Sequence, residues 1–495
     1  MTGTLLALAA AFGASVAAER RAARPEAPPD AWAALPARAA LFGMLYLAWL
    51  GAWNRPYLAA LASAVTVGAH VFISNRKREL VREPLVFSDY GLLRLVWRHP
   101  DLYYTEFMAR PPFLLGAAAF VVALGSWFWL EPSLLPAGFS LVLLLGVLAL
   151  ASGATVLARH PTVVAWGARL LPYPDLERDV GRWGLLLTLA AYALRWRAET
   201  ACPPREGRPG LPPDLADEAS VHPIQVIVVQ LESFVDPPRL WAAEQALPGL
   251  ARTRALAWLH GPLAVPAHGA FTMRSEYAVL TGLAPEDLGF RRFDPYLSTR
   301  GATPPTLASR LKARGFSTIF LHPFRAAFFD RARVVPRFGF DRLLFEENFP
   351  DEERYGPYVS DAALARRILA ETAGGAPALA FAVTMENHGP WLAGRLADEP
   401  DPVRQYRRHL AHSDEAITIL IEGLSRREGR TLLCLYGDHT PILPGLTGSE
   451  PSETDYAVLL LGRDAPAAAP RERRLAAHEL GRVLARLSGA DDPSA

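Results

Sequence analysis

Cysteine is almost absent: two residues in 495, Cys202 in a Pro-rich connector and Cys434 inside an apolar run. Neither has a partner at metal or redox spacing, so a disulfide framework is excluded. Charge of one sign is lacking as well. The formal net charge is +1 at pH 7, and no basic stripe interleaved with aromatics runs through the chain, so nothing points to nucleic acid. Arg far outnumbers Lys, which reads as a compositional habit and carries no chemistry. The first apolar stretch lacks the positive residues that precede the core of a secretory signal. No clear cleavage pattern follows it either, because Ala17-Ala18-Glu19 leads straight into Arg20, Arg21 and Arg24; it reads as a retained anchor.

What the chain does have is asymmetry. Its first 160 residues carry nearly all the long apolar runs, while charge and alternating short strands and helices dominate from about residue 221. A bilayer core of about 30 Å takes roughly 20 apolar residues of helix. Five stretches meet or approach that length: Leu5 to Ala18, Ala39 to Trp53, Tyr57 to Ile73, Phe113 to Leu130 and Leu134 to Leu157. They hold few ionisable residues, which argues against a transport pathway. Arg20, Arg21, Arg24 and Arg38, and then Arg76, Lys77, Arg78, Arg82, Arg94 and Arg98, mark the loops after the first and third stretches as cytoplasmic. Five crossings from an outside amino terminus leave the remainder in the cytoplasm unless Trp183 to Trp196 adds a sixth. The short apolar core of that segment and its Trp and Arg ends suit a helix lying in the interface equally well.

Residues 197 to 221, with Cys-Pro-Pro-Arg-Glu-Gly-Arg-Pro-Gly-Leu-Pro-Pro, are too rich in breakers for a regular element and read as a linker. The expected organisation is a transmembrane domain at 1–160, a juxtamembrane segment at 161–221 and a soluble domain at 222–495. In the last, β-rich runs at Ile224 to Gln230, Thr318 to Leu321, Ala378 to Thr384, Thr431 to Tyr436 and Tyr456 to Leu461 alternate with helical spacing at Pro305 to Arg314, Ser360 to Thr372, Pro402 to Glu422 and Arg471 to Leu487. That alternation predicts an α/β fold with a largely buried sheet. Ligands gather at the carboxyl ends of such strands. Glu232, His322, His388 and the pair Asp438-His439 each follow one, so four strand ends converge on one rim.

Thr272 stands in a polar turn just before a helical stretch. A Thr hydroxyl is a poor nucleophile at neutral pH, and a divalent cation lowers the barrier by stabilising the alkoxide. Glu232, Asp438 and His439 supply two oxygens and a nitrogen of the types that bind such a cation, with Thr272 as ligand and attacker. Taken singly, an Asp-His pair after a strand is commonly structural and Glu232 suits a helix cap; their joint placement with the Thr turn is what favours a metal site.

The segments Val-Ile-Val-Val-Gln-Leu-Glu-Ser-Phe, Gly-Ala-Phe-Thr-Met-Arg-Ser-Glu-Tyr-Ala-Val-Leu-Thr-Gly, Phe-Phe-Asp-Arg followed by Phe-Gly-Phe-Asp, Glu-Asn-His-Gly-Pro-Trp and Tyr-Gly-Asp-His occur in that order over about residues 222 to 465. In them the chain resembles the lipoteichoic acid synthase family of phosphoglycerol transferases, within the alkaline phosphatase and sulfatase superfamily. The resemblance implies an α-helical multi-span membrane domain followed by an α/β sulfatase-like catalytic domain. It implies one divalent metal held by Glu232, Thr272, Asp438 and His439, typically manganese, with magnesium or zinc as the other cations to consider. It also implies a covalent glycerol-phosphate ester on Thr272, and a head-group site at His322, Phe329, Arg331 and His388. The donor would be phosphatidylglycerol in the lipid bilayer and the acceptor a glycan or a polyglycerolphosphate chain. The catalytic domain would face outward from the bacterial cytoplasmic membrane.

Residue by residue the chemistry agrees. Arg331 can fork onto phosphate oxygens, although an Arg in Phe-Asp-Arg-Ala-Arg is also an ordinary loop charge, and the two histidines can donate to a phosphoryl oxygen or serve a leaving group. Three departures stand out: Gly-Ala-Phe precedes Thr272 where the family often has a run of glycines, Met273-Arg274 replaces small and amide residues, and Phe329 falls where Trp is usual. Arg274 is therefore expected to touch acceptor or phosphate. A phosphoethanolamine transferase, or a hydrolase of the same superfamily, is the alternative activity. An ordinary sulfatase fits poorly, since Thr-Met-Arg-Ser-Glu lacks the Cys- or Ser-x-Pro-x-Arg core.

Overall fold

A run of apolar residues that leaves water has to satisfy its backbone internally, and a helix does so within one segment. In the computed structural model, which describes residues 2–22, 31–91, 110–136, 138–200, 211, 215, 221–241, 244–299, 303–446, 452–465 and 469–491, the chain divides into two compact units, Met1–Ala201 and Cys202–Ala495. Arg24, Arg94, Arg98, Cys202 and most of the 197–221 linker lie outside the described residues.

The described residues of the first unit form helices joined by short connections. Among the described residues five helices are long and apolar enough to cross a membrane: Thr2–Ala22, Leu35–Trp53, Pro56–Val81, Pro111–Leu130 and Phe139–Leu157. Pro56 and Pro111 open their helices where a missing N–H costs nothing. Asn54, with φ +55°, ends the second helix; its Nδ2 donates to the Leu135 carbonyl at 2.8 Å and its Oδ1 accepts from Leu135 N at 2.7 Å. The Glu131 carboxylate accepts from Tyr57 N and Leu58 N at 2.7 and 2.9 Å, so an acid satisfies the exposed N–H groups that begin the third helix. Leu35–Trp53 lies against Phe139–Leu157 so closely that a Cβ on Gly51 would stand 2.9 Å from Leu144 N. Small residues permit that approach where no water drives association.

The Trp183 to Trp196 segment is interrupted. Gly184, with φ +81°, ends the helix Leu176–Trp183, and a new helix runs from Leu185 to Thr200. Its 16 residues give a length of about 24 Å, short of a full crossing. Leu185 and Leu189 share a core with Phe42, Val67 and Val71, residues of the second and third long helices.

The second unit is built on a nine-stranded mixed sheet. Its strands are β1 (Gln225–Leu231), β2 (Leu259–Ala264), β3 (Ser317–Leu321), β4 (Arg342–Leu344), β7 (Ala378–Val383), β8 (Thr431–Gly437), β9 (Glu453–Leu461), β10 (Arg471–Glu472) and β11 (Leu475–Ala476); β5 (Arg354–Tyr355) and β6 (Tyr358–Val359) form a separate hairpin. The order is β10-β2-β9-β8-β1-β7-β3-β4, with β11 also on β2. Every residue of β1, β7 and β8 is buried, as expected of central strands covered on both faces. Strands β8, β1, β7, β3 and β4 run parallel. Their register pairs Leu231 with Gly437, Gln230 with Val383 and Leu321 with Ala382, which carries the residues following each strand to a common edge.

The helices Asp361–Glu371 and Pro402–Ser425 form one core with Ile227, Val229 and Leu231. The helix Thr272–Thr281 packs on Ala477–Leu487, where a Cβ on Gly481 would lie 2.3 Å from the Val279 carbonyl oxygen. The predicted helix Arg471 to Leu487 is corrected at its start: residues 471–476 form β10 and β11, and helix begins only at Ala477. The missed strand β2 contains Gly261 and Pro262, which read as breakers. A Cβ on Gly261 would stand 2.3 Å from the Arg473 carbonyl oxygen, so the glycine admits the crossing chain beside β2.

Candidate active site

Thr272 opens its helix directly after two residues in left-handed backbone, Gly269 at φ +67° and Phe271 at φ +65°. A non-glycine residue there costs about 1–3 kcal/mol, and what it secures is a hydroxyl at the first position of a ten-residue helix, beside backbone N–H groups that favour an anion. Gly269 N donates to the Thr440 carbonyl at 3.0 Å, tying this turn to the loop after β8.

The expected metal set comes together. One ligating atom each from Glu232, Asp438 and His439 lies within 4.8 Å of the other two, and Thr272 Oγ1 donates to Glu232 Oε2 at 3.4 Å. Their neighbours fix them. Glu232 N donates to Thr384 Oγ1 at 2.9 Å, and Ser233 Oγ to Glu232 Oε1 at 3.0 Å. Asp438 Oδ1 accepts from Ser233 N and His439 N, both at 2.8 Å, while Ser275 Oγ donates to the Asp438 carbonyl at 2.6 Å. His439 Nδ1 faces the Thr440 carbonyl at 3.1 Å, which leaves Nε2 turned to the acids, 3.3 Å from Glu232 Oε1 and 3.4 Å from Asp438 Oδ2. Asp438 Oδ2 is buried without a hydrogen-bond donor among the described residues. Burial, and then the charge of Asp438, push the Glu232 carboxyl well above the usual range. Two buried carboxylates that repel, one orphaned oxygen and one imidazole nitrogen make a donor set that fits a divalent cation.

The head-group residues are arranged differently from a simple ring of donors. Arg331 is fully buried; its Nη2 donates to Glu276 Oε2 at 2.8 Å and its Nη1 lies 3.0 Å from His322 Nε2. His322 Nδ1 faces the Val383 carbonyl at 3.1 Å. A guanidinium has only donors, so His322 Nε2 is the acceptor and the ring is neutral. Burial and then Arg331 hold its pKa well below the ordinary value. His388 Nδ1 lies 2.5 Å from the Gly389 carbonyl, and burial brings its pKa down to about 3. Both rings are thus neutral at pH 7, with the His322 Nε2 lone pair taken up by Arg331. Phe329 lies against Phe328, tilted by 46° at 4.3 Å between centroids, with the Arg331 guanidinium 5.4 Å from its ring. Arg274 donates from Nε to the Phe293 carbonyl at 3.0 Å and lies over the Phe271 ring at 4.0 Å.

Sequence reasoning missed Glu276 and Tyr296, whose hydroxyl donates to Glu276 Oε1. The signal was present: Glu276 follows Thr272 by four residues, one face of one helix. It also missed Glu386. Fully buried two residues before His388, Glu386 accepts from His409 Nδ1 at 3.0 Å, His412 Nδ1 at 2.8 Å and Asp361 N at 2.8 Å.

The family profile described as Sulfatase matches residues 225–478. The chain is 31% identical over 460 residues to the capsular polysaccharide biosynthesis protein RkpI of Rhizobium meliloti (strain 1021), which covers 89% of this chain and 83% of that protein. Among solved structures it is similar to the Streptococcus pyogenes phosphoglycerol transferase GacH in complex with sn-glycerol-1-phosphate, at 19% identity and TM-score 0.46, over 60% of this chain and 81% of that one. It is also similar to the lipooligosaccharide phosphoethanolamine transferase A (EptA) of Neisseria meningitidis, at 12% identity and TM-score 0.48, over 87% of this chain and 88% of that one.

Proposed function

The chain belongs to the sulfatase family, and from that premise we propose that it is a membrane-bound phosphoglycerol transferase. It moves glycerol phosphate from phosphatidylglycerol to a hydroxyl of an extracytoplasmic glycan, through an ester on Thr272. The observation that carries this reading is the convergence of the Thr272 hydroxyl with the Glu232, Asp438 and His439 cluster at the start of a helix. The name of the relative RkpI favours a polysaccharide acceptor over a polyglycerolphosphate chain. Residues 1–160 would keep the enzyme beside its lipid donor, and 222–495 would perform the transfer.

Glu232, Asp438 and His439, with Thr272, would hold one divalent cation, manganese by preference, which supplies positive charge to the nucleophile and to the phosphoryl oxygens. The residues do the rest. The bond from Thr272 Oγ1 to phosphorus forms as the bond from phosphorus to the lipid glycerol oxygen breaks, and the hydroxyl proton, directed at Glu232 Oε2, passes to the departing diacylglycerol. In the second step the acceptor hydroxyl attacks phosphorus as the bond from phosphorus to Thr272 Oγ1 breaks, and the acceptor's proton is relayed through His388 Nε2 to Thr272 Oγ1, which restores the Thr272 hydroxyl. Arg331 and the helix amino terminus stabilise charge on the transferring group.

The test uses the detergent-solubilised full chain with manganese, headgroup-labelled phosphatidylglycerol and capsular polysaccharide. Expected are diacylglycerol release, label in the polysaccharide and, on quenching, a phosphoglycerol mass on the peptide containing Thr272. Thr272→Ala should abolish all three. Label that appears only from phosphatidylethanolamine, or full turnover by Thr272→Ala, would overturn the reading.

A further inference from the structure

On the phosphoglycerol-transfer reading, we propose that Glu276 is a positioning residue for the reaction, one that sets Arg331 and, through it, His322 against the nucleophile helix. Thr272 and Glu276 are four residues apart on one fully buried stretch of helix, so they share a face. The helix therefore carries the attacking hydroxyl on its first turn and a carboxylate on its second. Both oxygens of that carboxylate are engaged: Oε1 accepts from the Tyr296 hydroxyl, and Oε2 accepts from Arg331 Nη2 at 2.8 Å. Neither Glu276 nor Arg331 has any exposed side-chain surface. A guanidinium at that depth cannot stand without a counter-charge, and Glu276 is the carboxylate in contact with it.

The pair does more than neutralise. Arg331 passes the constraint onward from Nη1 to His322 Nε2 at 3.0 Å, and His322 Nδ1 is held by the Val383 carbonyl at the end of β7. The nucleophile helix, the Phe328–Val334 turns and the ends of β3 and β7 are thus joined through one relay. Among the described residues, Arg331 Nε is buried and finds no acceptor. With Nη2 on Glu276 and Nη1 on His322, that N–H is a donor still open to a phosphoryl oxygen. Its direction is set by the bonds Glu276 imposes on the other end of the guanidinium.

A double-mutant cycle on the full chain tests this, with diacylglycerol release from phosphatidylglycerol vesicles as the rate and manganese binding as a second readout. Glu276→Gln is expected to lower kcat/KM by about 10²-fold, with manganese affinity unchanged within about threefold. Arg331→Gln should cost at least as much. The pair Glu276→Gln/Arg331→Gln, which removes both buried charges and so keeps a folded control if the single Glu276 variant fails to fold, should match Arg331→Gln within about twofold. Near wild-type activity in Glu276→Gln would overturn the proposal. So would a further tenfold loss in the pair, which would give Glu276 a role independent of Arg331, or loss of manganese binding from a folded variant. Absence of release by the wild type would sink the phosphoglycerol reading instead, and the two failures are distinct.

Discussion

Asp438→Asn separates a metal ligand from a structural acid. Asp438 Oδ1 holds two backbone N–H groups at 2.8 Å while Oδ2 has no donor among the described residues. An asparagine whose carbonyl oxygen takes the Oδ1 place keeps both bonds and puts an NH2 where Oδ2 stood. It also removes one of two buried acids whose ligating atoms lie within 4.8 Å of each other. At an effective dielectric constant of about 20, two unit charges at that separation repel by roughly 3 kcal/mol. This is an upper figure, because Glu232 relieves part of it by holding a proton. The metal-free variant should therefore melt no lower than metal-free wild type, and up to several degrees higher at about 2–4 °C per kcal/mol. The metal-bound arm runs the other way. Manganese at about 100 times its Kd stabilises the wild type by about 2.7 kcal/mol, and loss of a carboxylate ligand should cut that to under about 1 kcal/mol. Thermal melts of the solubilised full chain in EDTA and in manganese read both arms. A variant that melts well below wild type in EDTA yet keeps the whole manganese shift would refute the reasoning, since Asp438 would then be a buried structural acid.

Gly481→Ala drives a Cβ into the Val279 carbonyl, 2.3 Å away, and should destabilise the chain by about 2–3 kcal/mol in denaturant melts; a change below about 0.5 kcal/mol would mean the two helices separate freely. Burial, and then the Glu386 charge, raise the Asp361 pKa to about 8. The folded state therefore holds a proton that the unfolded chain releases near pH 4, and stability from this group, full at acid pH, falls by up to about 1.4 kcal/mol per pH unit until it is lost at about pH 8. Asp361→Asn should flatten the slope of stability between pH 5 and 8, and an unchanged slope would remove Asp361 as its source. If the catalytic domain faces outward, protease added to spheroplasts should cleave within 222–495, whereas protection until lysis would place that domain in the cytoplasm.

The fold was legible where burial is uniform. Strands β1, β7 and β8 are continuous apolar runs because both faces are covered, and each lies within about a residue of its expected position. The five long apolar helices were legible for the same reason: one solvent, one pattern. Strand β2 was not, because Gly261 and Pro262 serve a crossing chain that lies more than two hundred residues away in sequence. Gly184 also hid a boundary, since its φ of +81° breaks an otherwise continuous apolar segment. At the site, the residues directly after parallel strands could be placed in advance, because register alone carries them to one edge. Glu276 lies inside a helix, and its partner Arg331 comes from an irregular turn, so nothing periodic linked them.

That pairing changes how the phosphate would be received. Arg331 read from its motif is a free fork for phosphate; with Glu276 on it, the Arg331–Glu276 pair contributes no net charge. His322 and His388 are neutral at pH 7 by burial. The acids Glu232 and Asp438 remain, and by themselves they repel a phosphodiester. Attraction for the lipid head group must then come from the cation that these two acids and His439 are suited to hold, and from the N–H groups that open the Thr272 helix. Under the proposed phosphoglycerol transfer, metal affinity and lipid affinity would consequently be linked in this site. Phosphatidylglycerol binding should weaken in EDTA by as much as manganese binding weakens without the lipid, as reciprocity of coupled equilibria requires. Equal lipid affinity with and without manganese would show that the buried arginine attracts the phosphate by itself.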